Sequence, residues 1–125
     1  MRPDKFDMIN SRFLADGINS NRWESLVLEY KLLLRPGGWL QMAEIQWEFH
    51  SHSDHDLTNL TVWSGTYREA LLGMQKDPDV IRRLERFARQ AGFERVHGIT
   101  RNIQVGNWRP GSCFVRVDCD RPSAN

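Results

Sequence analysis

The sequence predicts an α/β domain with a mixed β-sheet and helices packed on it. Three observations carry that expectation. Apolar residues recur at helical spacing in three separate stretches. Between and after those stretches lie runs of large apolar residues or clean two-residue alternation, the signature of strands. The chain is 125 residues long, 40% hydrophobic and 26% charged, which is enough for one small domain with a buried core. A domain of this size removes roughly two-thirds of its unfolded surface from water.

Taken in order, the elements read β-α-β-α-α-β-β. Residues 5–10, Lys-Phe-Asp-Met-Ile-Asn, form a short first strand. Residues 11–21 are polar and turn-rich, with Asp16-Gly17 and Asn19-Ser20-Asn21. A helix follows over 22–34, where Trp23, Leu26, Val27, Tyr30 and Leu33/Leu34 make one stripe. Arg35-Pro36-Gly37-Gly38 reads as its stop, because proline lacks a donor and glycine permits a left-handed turn. The second strand is expected over 39–47. A polar break, His50-Ser-His-Ser-Asp-His-Asp56, leads to a helix over 57–74 with Leu60, Trp63, Tyr67, Ala70, Leu71 and Met74 on one face.

Asp77 reads as an N-cap with Pro78 at the first helical position, opening a third helix that runs to about residue 90. Val80, Ile81, Leu84, Phe87, Ala88 and Ala91 face inward there, and Arg82, Arg83, Glu85, Arg86 and Arg89 face largely outward. Gly92 ends it. Two strands close the chain, over 94–105 and 112–119, and residues 121–125 read as a frayed tail. The first β-α-β implies a parallel pair with a right-handed crossover. The closing hairpin implies an antiparallel edge.

Seventeen Lys and Arg face sixteen Asp and Glu, a net charge of +1. That balance leaves no footprint for nucleic acid or for an anionic membrane surface. No apolar run reaches the ~18–20 residues of a membrane helix, and the first residues, Met1-Arg-Pro-Asp-Lys, lack the apolar stretch of a signal peptide. Cys113 and Cys119 fall in one strand, where six residues span about 20 Å, too far for a disulfide. Reduced thiols and a cytoplasmic location are expected.

Two motifs resemble a known family. Phe6-Asp7-Met8-Ile9-Asn10-Ser11-Arg12, followed after an amphipathic helix by Leu34-Arg35-Pro36-Gly37-Gly38-Trp39-Leu40-Gln41-Met42-Ala43-Glu44, is similar to the class I S-adenosylmethionine-dependent methyltransferases, most of all the fungal LaeA-like and specialised-metabolite group. Ala91-Gly92-Phe93 and Val105-Gly-Asn-Trp108 fit the same pattern. The likeness covers residues 4–108. It implies a truncated Rossmann-like methyltransferase half-domain, strands four to seven of the family sheet, filling residues 1–125 as a single unit. The family's cofactor half carries a glycine-rich turn that lets backbone approach the ligand. These 125 residues contain no such turn, so no cofactor and no methyl transfer by this chain alone are expected.

A half-sheet leaves an open edge at the first strand. Phe6, Met8 and Ile9 are expected to be covered by a homodimer or by another subunit. The candidate catalytic residues are His50, His52, His55 and Glu44. Three imidazoles within six residues suit general acid–base work; a solvated loop and a divalent-metal site are the competing readings, and no metal is expected. Glu44 alternates with Leu40 and Met42 and points inward, either as a base or substrate anchor or as a hydrogen-bonded structural carboxylate. Ser11 and Arg12 end the first strand and are candidates for substrate contact or loop bracing. Trp47, Trp63 and Tyr67 line an apolar pocket or pack on the sheet. Methyltransferase-like folds also carry cyclisations and isomerisations, which need a shaped apolar cavity and a few hydrogen-bond donors. The expected function is therefore a cofactor-independent cyclase or isomerase of fungal specialised metabolism acting on a small apolar substrate. The alternatives are a non-catalytic partner protein and a methyltransferase fragment completed by another chain.

Overall fold

The computed structural model describes residues 4–51 and 56–103 and the backbone of 116–120. Its elements are β1 (Phe6–Arg12), a 3-10 turn (Ser20–Arg22), α1 (Trp23–Leu33), β2 (Leu34–Ala43), α2 (Thr58–Gly73), a second 3-10 turn (Val80–Arg82), α3 (Leu84–Gln90), β3 (Glu94–Ile99) and β4 (Arg116–Asp120). The order of strands and helices is the predicted one. The sheet runs β1-β2-β4-β3, with β1 parallel to β2 and β4 antiparallel to both of its neighbours. The closing hairpin therefore puts the last strand inside the sheet, between β2 and β3, with β3 at the rim.

The core is one cluster. Trp23 and Val27 of α1, Leu34, Leu40 and Met42 of β2, Val80, Leu84, Phe87 and Ala88 around α3, and Phe93 and Val96 of the β3 segment are all buried. The inward residues of the third helical segment are those its spacing predicts, and Ile81 packs against the cluster from its rim. Trp23 is fully buried, and its indole N–H has no acceptor among the described residues.

Three boundaries, at the two ends of β2 and the start of α3, differ from the sequence expectation in ways that bear on the site. The Arg35–Gly38 stretch does not interrupt the chain before the second strand; it is a bulge inside it. Phe6 pairs with Leu34 and Met8 with Trp39, so β2 carries the extra residues. Gly37 has φ +78°, and a Cβ on Gly38 would meet the carbonyl oxygens of Arg35 at 2.9 Å and Asp7 at 3.1 Å. Both glycines serve the bulge. β2 stops at Ala43 because Arg12 of β1, its last partner, stops there; residues 44–47 lie outside the ladder. Asp77 accepts the Asp79 backbone N–H at 3.0 Å and pairs with Arg83, but it caps no helix: Asp79 precedes a short 3-10 turn, and α3 starts only at Leu84.

The largest departure is α2. The stripe Leu60, Trp63 and Met74 is 41%, 46% and 57% exposed, and the helix buries only Ser64 and Leu71. Polar staples hold it instead. Arg68 makes a two-pronged pair with Asp79 at 2.6 Å, which holds the Asp79 carboxyl below its usual range. Lys76 donates to Gly17 O at 3.1 Å and Asn19 Oδ1 at 2.6 Å. At its start, Asp56 accepts the backbone N–H and the hydroxyl of Thr58; those two bonds lower its carboxyl pKa.

Core and surface leucines should separate cleanly in denaturant unfolding. Leu40→Ala, in the central strand and fully buried, is expected to cost about 2–5 kcal/mol. Leu32→Ala, on the exposed face of α1, is expected to stay within about 0.5 kcal/mol of the parent.

Candidate functional site

Parallel pairing puts the C-terminal ends of β1 and β2 side by side, the end at which open α/β sheets bind ligands. The chain leaving β1 turns at Phe13, whose φ of +53° is unusual for a residue with a side chain. Its N–H bonds Ala43 O at 2.9 Å and so extends the ladder by one step. The following loop returns on itself through bonds from Gly17 N and Ile18 N to Leu14 O.

Glu44 fixes this loop. It is the first residue after β2 and is 2% exposed. One carboxylate oxygen accepts the Leu14 N–H at 2.8 Å and the other accepts the Ala15 N–H at 3.1 Å. Burial raises its pKa above the ordinary value, and the two backbone bonds and the nearby Asp16 modify that shift. The inward orientation is the one its alternation predicts, and both oxygens are engaged by backbone. Ser11, 5% exposed, sits on the helix-covered face, with the Tyr30 hydroxyl 3.4 Å from its Oγ. Arg12 is exposed and donates from Nε to Asn10 Oδ1 at 3.1 Å; Asn10 in turn donates to Gln41 Oε1 at 2.8 Å.

The aromatic trio comes together. Trp47 meets Trp63 edge to face at 5.3 Å between ring centres and Tyr67 at 5.6 Å, and Trp63 stacks on Tyr67 at 5.4 Å. Phe49 adds a fourth ring, 6.2 Å from Trp63. The Tyr67 hydroxyl donates to Asp16 Oδ2. Desolvation, and then that bond, push the phenol up to about 12. Asp16 thus lies between two anchors: its backbone neighbours are held by Glu44 and its own carboxylate by Tyr67.

His50 is exposed, with Nε2 3.9 Å from Glu48 Oε2. His52, Asp54 and His55 lie outside the described residues, as do Cys113 and the Cys119 side chain. Among the described residues no cluster of three or more metal-ligating side chains occurs, and no helix is long and apolar enough to cross a membrane. A cleft of about 360 Å³ lies elsewhere, lined by Ser20, Leu72, Gln75, Lys76 and Arg83 among others; it does not include the aromatic group. Sequence spacing missed Asp16 and Phe49. Asp16-Gly17 reads only as a turn, and Phe49 follows the strand with no periodicity to mark it.

No family model and no curated protein matches the chain. Solved structures do. Phosphoethanolamine N-methyltransferase 2 of Haemonchus contortus, in complex with phosphomonomethylethanolamine and S-adenosylhomocysteine, superposes with a TM-score of 0.55 at 18% identity. The match covers 78% of this chain and 20% of that one. A possible exported protein from Bordetella parapertussis superposes with a TM-score of 0.50 at 14% identity, over 97% of this chain and 40% of that one. At such identities the likeness concerns the fold. The chain has a methyltransferase-like fold and spans a fifth and two-fifths of these two chains.

The Glu44 geometry fixes a pH dependence. A carboxyl whose pKa is raised by folding holds its proton more tightly in the folded state. Stability is then highest at and below the ordinary value of 4.5 and falls as pH rises from there through the raised value. Glu44→Gln has no such proton. The unfolding free energy of the parent minus that of Glu44→Gln should therefore shrink between acid and neutral pH. Glu44→Ala, which leaves two backbone donors without their acceptor, should cost about 1–3 kcal/mol. In Asp16→Asn, ultraviolet titration should find Tyr67 ionising below its parent value of about 12.

Proposed function

We propose that the chain binds a small apolar, flat molecule against the Trp47, Phe49, Trp63 and Tyr67 rings and isomerises or cyclises it without a methyl donor. The observation that carries this reading is the aromatic group bonded through the Tyr67 hydroxyl to Asp16, at the sheet end where α/β proteins bind ligands. Half-exposed Trp63 offers its ring to a ligand. Tyr67 keeps its proton at neutral pH and donates a hydrogen bond to Asp16, so the pair offers a ligand acceptor oxygens. Glu44 positions the loop that carries Asp16. His50, His52 and His55 are the proposed proton-transfer groups, since His50 follows the Phe49 ring directly in the chain. Isomerisation by proton transfer moves a proton from one carbon of the substrate to another and needs no external reactant. Fungal specialised metabolism belongs to this proposal on the strength of the motif resemblance.

A second reading is favoured by the comparison of lengths. A match over 78% of this chain and 20% of a methyltransferase is what one part of such an enzyme, completed by another polypeptide, would give.

Calorimetric titration with S-adenosylmethionine separates the two. No binding heat is expected; micromolar binding overturns the first reading in favour of the second. Tryptophan fluorescence quenching by a panel of polyketide and terpenoid compounds should find a ligand, followed by product analysis. Trp63→Ala should weaken that ligand between about twofold and tenfold, the scale of one aromatic contact. Unchanged turnover in His50→Ala, His52→Ala and His55→Ala would remove the imidazoles from the mechanism.

A further inference from the structure

Away from the aromatic site the described surface offers two features. The β1 edge exposes Phe6 and Met8, while Ile9, the third apolar residue expected there, packs against the core; nothing on that edge specifies an occupant. The second feature is the cleft of about 360 Å³, a volume within the range of small-molecule sites. It lies where the end of α2 meets the loop before α1. Ser20 N bonds Gln75 O at 2.8 Å, and Asn19 and Lys76 form an isolated antiparallel bridge, so backbone joins the two segments. Beyond α2, Lys76 N bonds back to Leu71 O at 2.9 Å, and Gln75 takes the left-handed region at φ +59°. Glycine or asparagine is usual at such a position; here a glutamine takes it and lines the cleft.

The charges of the lining do not cancel. Lys76 and Arg83 bring two positive charges and Asp77 one negative. Asp77 is 5% exposed, and its two oxygens are taken by the Asp79 N–H and by Arg83. Arg83 reaches Asp77 through one terminal nitrogen, and its half-exposed guanidinium has further N–H groups to donate. Lys76 meets neutral oxygens only, Gly17 O at 3.1 Å and Asn19 Oδ1 at 2.6 Å; among the described residues no carboxylate pairs with it. One positive charge is left without a counter-charge. Leu72, 59% exposed, adds an apolar surface to the same cleft.

We propose that the cleft binds a small monocarboxylate with an aliphatic body, its carboxylate held by Lys76 and Arg83 and its hydrocarbon on Leu72. A single negative charge matches the charge left over. A phosphate dianion would exceed it and would meet the Asp77 carboxylate as well. A zwitterionic amino acid would bring an ammonium group, for which Asp77, buried and occupied, has no oxygen to offer. Ser20 and Asn21 add neutral hydrogen-bonding groups from the loop before α1. The site is separate from the aromatic group and does not rest on its chemistry.

Isovalerate is the probe. Titrated into the isotope-labelled chain at neutral pH and followed by nitrogen–proton NMR, it should shift the backbone amides of Ser20, Asn21, Gln75 and Lys76, saturating in the millimolar range. The indole N–H signals of Trp47 and Trp63 should stay in place. Isovaleramide, of the same shape without the charge, should shift none of these amides, and inorganic phosphate and leucine should bind more weakly than isovalerate. Leu72→Asp, at an exposed position, should leave circular dichroism unchanged and weaken isovalerate about tenfold, because a second carboxylate then faces that of the ligand. Lys76→Gln, whose amide can still donate to Gly17 and Asn19, should abolish saturation. Absence of shifts with isovalerate, equal shifts with isovaleramide, or binding that survives both variants overturns the site. Phosphate or leucine binding as tightly as isovalerate overturns the monocarboxylate class. Shifts confined to the indole signals move the acid to the aromatic group and overturn the cleft.

Discussion

The carboxylate of Glu44 ties the two halves of the ligand end together. Parallel pairing brings the ends of β1 and β2 into register, but hydrogen bonds of the ladder stop at Phe13 and Ala43. Beyond that point the chain after β1 has backbone donors with no strand to receive them. An acidic side chain directly after β2 supplies two acceptors in the right place. Desolvating a carboxylate is costly, and the raised pKa records that cost. The two backbone bonds offset part of it. The loop is thereby held where Asp16 accepts the Tyr67 hydroxyl.

That reach matters because α2 has little else to hold it. Its two buried residues remove only a small apolar area from water. The Arg68–Asp79 fork, the Lys76 contacts and the Tyr67–Asp16 bond are polar, and the ion pairs are partly exposed, where such pairs contribute modestly. The aromatic group is the remaining apolar contact between α2 and the segment after β2. Helices secured in this way open at lower free energy than the core, and ligand sites are drawn from such elements. The helix that carries half of the aromatic wall is also the one least committed to the core.

Much of this was legible in the sequence, for physical reasons that can be named. Burial on one side of a helix imposes a 3.6-residue period, so Trp23, Val27, Leu84 and Phe87 were identifiable as core. The alternation through Leu40, Met42 and Glu44 revealed an inward carboxylate, because the side-chain period of a strand is two. What was hidden depends on partners distant in sequence. The Arg35–Gly38 turn residues form a bulge only because Asp7 and Phe6 lie opposite. The place of β4 between β2 and β3 is a property of sheet order, which local patterns do not encode. Among the described residues no surface of matching size receives the α2 stripe, so periodicity alone overstated its burial. Asp16 acquires a role only from Glu44 on one side and Tyr67, 51 positions away, on the other.

Fold likeness alone leaves the chemistry open, since one architecture serves many reactions. The residues narrow it. Ligands with phosphate or carboxylate groups are commonly held at strand ends by clusters of unpaired backbone N–H groups. At the end of β1 the Phe13, Leu14 and Ala15 donors are already engaged, the first by Ala43 and the other two by Glu44. An anion arriving there would have to displace a buried carboxylate and accept its repulsion. A flat apolar ligand meets no such obstacle at Trp63, whose half-exposed ring is backed by Trp47 and Tyr67. The occupied backbone donors and the half-exposed Trp63 ring are the two observations that support the proposed apolar ligand over an anionic one.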